Sequence, residues 1–154
     1  FMEETGEGEG LGYTVNVPFP LRVDDRLYHQ GFDQIAAPVI QQYMPQFILV
    51  SAGFDGHHTD PVGSLSLSVQ GYSEVFSKIL SLASQLCNGR LVVALEGGYS
   101  LNFLGKMVTS AIARMVGIPY RIRDNSPVAN PRTRKNAEQV LSKVRQIQSS
   151  FWQL

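Results

Sequence analysis

Two stretches of this chain follow one plan, and that plan leaves few folds open. Phe47-Ile48-Leu49-Val50-Ser51 is an apolar run that breaks at Gly53 and is followed at once by Asp55, His57, His58, Thr59 and Asp60. Leu91-Val92-Val93-Ala94-Leu95 is a second such run, and Glu96-Gly97-Gly98-Tyr99-Ser100 is its exit. Short apolar runs bounded by turn residues read as strands buried on both faces, the habit of parallel sheets. In open sheets of this kind, ligands bind at the carboxyl ends of the strands. Two exits that carry a carboxylate and a phenol therefore read as part of an active site.

The rest of the chain fits the same plan. The acidic, glycine-rich leader before Tyr13 suits neither a helix nor a central strand, and reads as a loop. It enters an expected strand at Tyr13–Val17, which Pro18 and Pro20 end. Asp24 and Asp25 offer a helix start, and Leu27, Tyr28, Phe32, Ile35, Val39, Ile40 and Tyr43 recur at helical spacing. Pro38 should kink or split that helix, and Pro45 closes it. Ser66 or Ser68 can cap a helix whose apolar face is Val69, Tyr72, Val75, Phe76, Ile79, Ala83 and Leu86. Asn88-Gly89 ends it in a left-handed stop. A further helix is expected from about Leu101 to Val116, stopped by Gly117 and Pro119.

The order β-α-β-α-β-α predicts an α/β fold, a parallel sheet covered by helices. Right-handed connections put the strand exits on one edge. Three strands are few for such a sheet, so the chain reads as the later part of a larger one. Residues 1–119 are expected to form that partial domain. Residues 120–154 are expected to form a polar linker and a last helix, from Lys135 to Trp152, that coats the surface. The tail's basic residues lack interleaved aromatics before Phe151, which weakens a nucleic-acid reading.

Composition narrows the classes. The 154 residues suit one domain, and 44% hydrophobic with 17% charged content suits a packed core. A formal net charge of +0 gives no global attraction to nucleic acid or acidic lipid. The one cysteine, Cys87, excludes a disulfide framework or a cysteine-rich zinc module, and reads as a buried, inert thiol. No apolar run reaches membrane-spanning length and no leader is visible, and the expected compartment is the cytoplasm.

The exits carry the chemistry. Carboxylates beside histidines suit zinc, iron or manganese, and a hydrogen-bonded loop brace is the competing reading. Asp60 precedes Pro61 and is the better structural candidate. Asp55 lies closer to the strand end and is the better ligand candidate. His57 and His58 read as rim residues. Gly97 and Gly98 let the backbone turn and approach a ligand. Tyr99 is either an oxyanion hydrogen-bond donor or a packed aromatic. No GxGxxG or GxxxxGK[ST] frames the glycines, which disfavours nucleotide binding.

Three blocks reach a family: Gly-Glu-Gly-Leu-Gly-Tyr-Thr-Val-Asn-Val-Pro at 8–18, Ser-Ala-Gly-Phe-Asp-Gly-His-His-Thr-Asp-Pro-Val-Gly at 51–63, and Leu-Glu-Gly-Gly-Tyr at 95–99. Together, in order and spacing, they resemble the histone deacetylase superfamily, in its class II and bacterial-archaeal flavour, over about residues 6–119. The resemblance implies the arginase/deacetylase fold, a three-layer α/β/α domain with a parallel sheet. It implies zinc-dependent hydrolysis of the amide of acetyl-lysine or a related acetylated amine. By that resemblance Asp55 is a zinc ligand and Tyr99 stabilises the tetrahedral oxyanion. Val62, where leucine is more usual, borders the acyl-lysine channel with Gly97 and Gly98. Tyr13 matches a residue whose carbonyl helps hold a structural monovalent cation, usually potassium.

One departure is large. The family's other aspartate ligand, its histidine ligand and its proton-handling histidine pair lie in an Asp-x-His-His-Gly-type segment earlier in the chain. Here the only histidines are His29, His57 and His58, none in that setting. The expectation is the C-terminal part of a deacetylase, inactive alone, whose missing partner is the N-terminal part of the same domain. The alternatives are a non-catalytic α/β interaction module, or a hydrolase of acetylated polyamines or other small acyl amides.

Overall fold

The computed structural model describes residues 1–154. Strands β1 (Ile48–Ala52) and β2 (Leu91–Leu95) pair in parallel, in register from Ile48 opposite Leu91 to Ala52 opposite Leu95. Helix α3 (Val69–Cys87) is the crossover between them, and α4 (Leu104–Met115) follows β2. Val50, Ala52 and Val93 of the sheet pack with Val69, Tyr72 and Phe76 of α3 and Met107 and Ala111 of α4. The alternate side chains point the other way. Leu49 is 68% exposed and Val92 48%. Within this chain, then, the strands are covered on one face only, where the sequence pattern predicts burial on both.

The first helix is split, as Pro38 requires. α1 (Asp25–Gly31) runs into a π turn at Phe32–Ala36 before α2 (Ala37–Tyr43). The Ala37 N–H donates to the Phe32 carbonyl, five residues back. Proline lacks an N–H and its ring presses on the carbonyl four residues earlier, so a locally widened register relieves both. Capping follows the sequence. Asp24 Oδ1 accepts from Leu27 N at 3.0 Å, and Ser68, not Ser66, accepts from Gly71 N at 3.0 Å. Asn88 takes the left-handed conformation (φ 54°) that ends α3.

The expected strand at Tyr13–Val17 does not form. The segment pairs with no other strand, and Val15 and Val17 pack instead against Ile35, Leu141 and Val144. β-branched composition favours a strand only where a ladder partner exists.

The last helix, α5 (Pro131–Gln148), starts earlier than its apolar spacing predicts. Asn130 Oδ1 caps it through Thr133 N at 2.9 Å, and Pro131 occupies the first turn, where no N–H is needed. It is tied into the body. Ala129 and Ala137 share a core with Val23 and Leu27, Gln148 Nε2 donates to Thr14 O, and Trp152 Nε1 donates to Gly12 O. No helix is long and apolar enough to cross a membrane.

The two faces of the sheet should respond differently to truncation. Met107 is fully buried, so Met107→Ala is expected to cost about 3 kcal/mol. On the uncovered face, Leu49→Ala in this same chain should stay within about 0.5 kcal/mol. Urea unfolding of the three proteins checks both values.

Candidate active site

The register decides what the exits can do together. With Ala52 opposite Leu95, both strands end side by side. Two backbone bonds continue the contact beyond the ladder: Glu96 N donates to Ala52 O at 3.0 Å and Phe54 N to Gly97 O at 2.8 Å. Asp55 and Gly97 therefore face each other across the join. A Cβ on Gly97 would lie 3.2 Å from the Asp55 carboxyl carbon, and one on Gly63 would collide with the Asp55 carbonyl. Gly98, at φ +143°, takes a conformation that side-chain-bearing residues rarely adopt, and so turns the chain toward Tyr99.

The two aspartates of the loop differ in their partners. Asp60 accepts four backbone N–H groups: Val62 and Gly63 on Oδ1 at 2.9 and 3.0 Å, Tyr99 and Ser100 on Oδ2 at 2.7 and 3.1 Å. Desolvation works against its charge, but these donors hold the carboxyl below its ordinary range. Asp60 is thus the brace between the two exits, and it fixes the backbone at Tyr99. Asp55 is bound by no protein donor and keeps both oxygens for a ligand. It lines a groove of about 450 Å³ that Val62 and Gly63 also border. The Tyr99 phenol is likewise unengaged, with the residue 53% exposed.

His57 and His58 are not on the rim. His57 is 1% exposed, stacked on Phe103 with ring centres 4.6 Å apart. Its Nε2 lies 3.1 Å from Asp124 Oδ2, and His58 Nε2 lies 3.0 Å from Asp124 Oδ1. Val69 N donates to the same carboxylate at 2.8 Å. Burial pushes the His57 pKa down, against the pull of Asp124. Burial would raise that of Asp124, but Val69 N–H and the two imidazoles hold it low. These three side chains are also the one group of three with ligand atoms close enough to share a cation, within 4.8 Å of one another. Asp55 is not among them. Sequence reading missed this cluster because Asp124 lies in an irregular basic stretch. The available signal was that Asp124 is the sole acidic residue between Glu96 and Glu138.

Of the residues singled out from sequence, Asp55 and Val62 line one groove, Gly97 lies against the Asp55 carboxylate, Gly98 against Phe54 and Leu104, and the Tyr99 backbone is held by Asp60. Tyr13 does not join them. Its ring sits edge-on to Tyr43 and Trp152, at 5.7 and 5.8 Å, where α2 and α5 end.

The family model of the histone deacetylase domain matches residues 1–115. This chain belongs to the histone deacetylase family. It is 48% identical over 101 residues to a probable deacetylase of Archaeoglobus fulgidus, covering 66% of this chain and 28% of that protein. It is 34% identical over 142 residues to the chloroplastic histone deacetylase 10 of Oryza sativa subsp. japonica, covering 90% of this chain and 32% of that protein. Among solved structures, the HD domain of HDA15 matches 99% of this chain and 39% of its own, with TM-score 0.81 and 31% identity. The histone deacetylase Clr3 matches 99% of this chain and 24% of its own, with TM-score 0.84 and 30% identity. The fold is accordingly that of deacetylase catalytic domains, and this chain spans less than a third of the length of these two curated relatives. Both structural matches extend past the family model into the tail.

The Asp60 brace has a pH signature. A carboxyl depressed in the folded state stabilises fully above its unfolded value of about 4, and less as pH falls through the folded value. Asp60→Asn should therefore be less stable than the parent at pH 7, with the gap closing on acidification below pH about 4. Urea midpoints of both proteins across pH 3–7 read this directly.

Proposed function

We propose that this deacetylase-family chain carries part of the catalytic rim of a zinc-dependent amide hydrolase acting on acetyl-lysine or a related acetylated amine. The observation that carries the reading is the shared rim. An uncommitted carboxylate, Asp55, and a free phenol, Tyr99, stand on the exits of adjacent strands, and Gly97, two residues before Tyr99, lies against the carboxylate. The donor chemistry fits one position of a zinc site: an anionic oxygen pair, no competing hydrogen bond, and glycine backbone on either side. A catalytic zinc takes three protein ligands, and the other cluster able to hold a cation does not include Asp55. The remaining ligands are assigned to the preceding part of the same domain.

Each residue then has a distinct task. Bound zinc supplies Lewis-acid polarisation of the amide carbonyl and of water. Asp55 holds that ion. The Tyr99 hydroxyl donates a hydrogen bond to the carbonyl oxygen as it gains negative charge, an interaction stronger in the transition state than in the substrate. Asp60 keeps the Tyr99 backbone in place through its N–H. Gly97 and Gly98 leave room for the acyl group, and Val62 borders the same groove as Asp55.

The test is the full-length protein with an acetyl-lysine peptide. Asp55→Ala should lose zinc and turnover together. Tyr99→Phe should keep zinc and lose about 10²–10³ in kcat, the usual cost of one oxyanion donor. This chain alone should show no zinc-dependent turnover. Full activity in both variants would overturn the roles given to Asp55 and Tyr99, and no turnover in the full-length parent would leave a non-catalytic module as the better description.

A further inference from the structure

The buried His57–His58–Asp124 cluster is not needed by the reading above, yet it connects to the active-site rim. Thr59 N donates to His57 Nδ1 at 3.3 Å, so Nδ1 carries the lone pair and Nε2 the proton. That proton is donated to Asp124 Oδ2 at 3.1 Å. The ring is thereby fixed in one tautomer and one orientation, as a carboxylate partner does for an imidazole generally. On the other side of the ring, Thr59 Oγ1 lies 2.9 Å from Nδ1 and 2.6 Å from Ser100 Oγ. Ser100 follows Tyr99, and the two share the Asp60 Oδ2 acceptor. The path is therefore continuous. It runs from the carboxylate of a segment beyond the family model, through His57, Thr59 and Ser100, to the backbone of the proposed oxyanion donor.

A cation shared by the cluster is disfavoured by the same geometry. For His57 Nε2 to bind a metal, its proton would have to move to Nδ1, where it would face the Thr59 N–H. The carboxylate, moreover, already accepts from both imidazoles and from Val69 N.

We propose that Asp124 is a positioning residue for Tyr99, acting through His57, Thr59 and Ser100, so that residues 116–130 set the geometry of the rim. This rests on the amide-hydrolase reading for its kinetic consequence, but not for its structural one.

The experiment uses the full-length protein, zinc-loaded, with an acetyl-lysine peptide and with 3-fluorotyrosine placed at position 99. Asp124→Ala should lower kcat about tenfold or more, since small misplacements of a reacting group cost that much, with KM and zinc content unchanged. Asp124→Asn keeps an oxygen for His57 and Val69 N, and should restore kcat to within about threefold of the parent. Thr59→Val cuts the path on the far side of His57 and should lower kcat similarly. The double variant Asp124→Ala/Thr59→Val should be no worse than either single one, because both interrupt one path. The fluorine resonance of residue 99 should move in Asp124→Ala and Thr59→Val and stay in Asp124→Asn. An unchanged kcat in Asp124→Ala, losses that multiply in the double variant, or a fall in zinc content would overturn the proposal. If the parent protein itself shows no turnover, the hydrolase reading fails, and the fluorine shifts alone decide whether Asp124 positions Tyr99.

Discussion

The in-register parallel pairing of β1 and β2 is the constraint on which the rest depends. Only when Ala52 stands opposite Leu95 do the two polar exits leave the sheet at the same height. A slip of one residue would turn each side chain to the other face of the sheet. It would move Val50 and Ala52, or Val93, off the α3–α4 core, depending on which strand slipped, and draw Gly97 away from Asp55. Burial thus fixes the chemistry indirectly. The apolar face chooses the register, and the register chooses which loop residues meet.

What the register brings together, glycine and one carboxylate hold together. Two loops leaving adjacent strands would ordinarily be kept apart by their own side chains. Here Gly63 and Gly97 omit the atoms that would strike Asp55. Asp60 then supplies the attraction, as one acceptor for N–H groups from both loops. Its partners are backbone groups, so the tie does not depend on the identity of the side chains at 62, 99 or 100. This division of labour leaves Asp55 uncommitted: the N–H groups of Val62, Gly63, Tyr99 and Ser100 all bond its neighbour five residues later.

The sequence spoke clearly wherever structure is local. The strand runs at 48–52 and 91–95, the Asn88 end of α3, its start at one of two serines, and the break at Pro38 follow from propensity, capping and proline sterics. So did the separation of Asp60 from Asp55, since Asp-Pro favours a turn brace. What was not legible depends on distant partners. Tyr13–Val17 has strand composition but no neighbouring ladder. Residues 131–134 look too polar to begin a helix until Asn130 and Pro131 are read as its cap and first turn. His57 and His58 look like exposed loop imidazoles because the carboxylate that buries them is 67 residues away from His57 in the chain. Periodicity carries no information about such a pairing.

That distant pairing changes what the tail is. A polar run after the last helix of a sheet domain is usually a tether, tolerant of change. Here the run donates a nearly fully buried carboxylate to a loop of the rim, and its flanks are fixed by further contacts. Gln70 Nε2 donates to Ile122 O, Ser126 Oγ to Asp25, and Ala129 N to Asp24 Oδ2. An ionised group is buried only where its bonding is complete, because an unpaired one costs several kcal/mol (about 3–5). Asp124 meets that condition with three donors from two elements, β1's exit loop and the first residue of α3. The loop and the tail must therefore be ordered together. Neither the imidazoles nor the carboxylate can be buried alone, so the exit of β1 acquires its final shape only once the tail has closed over it.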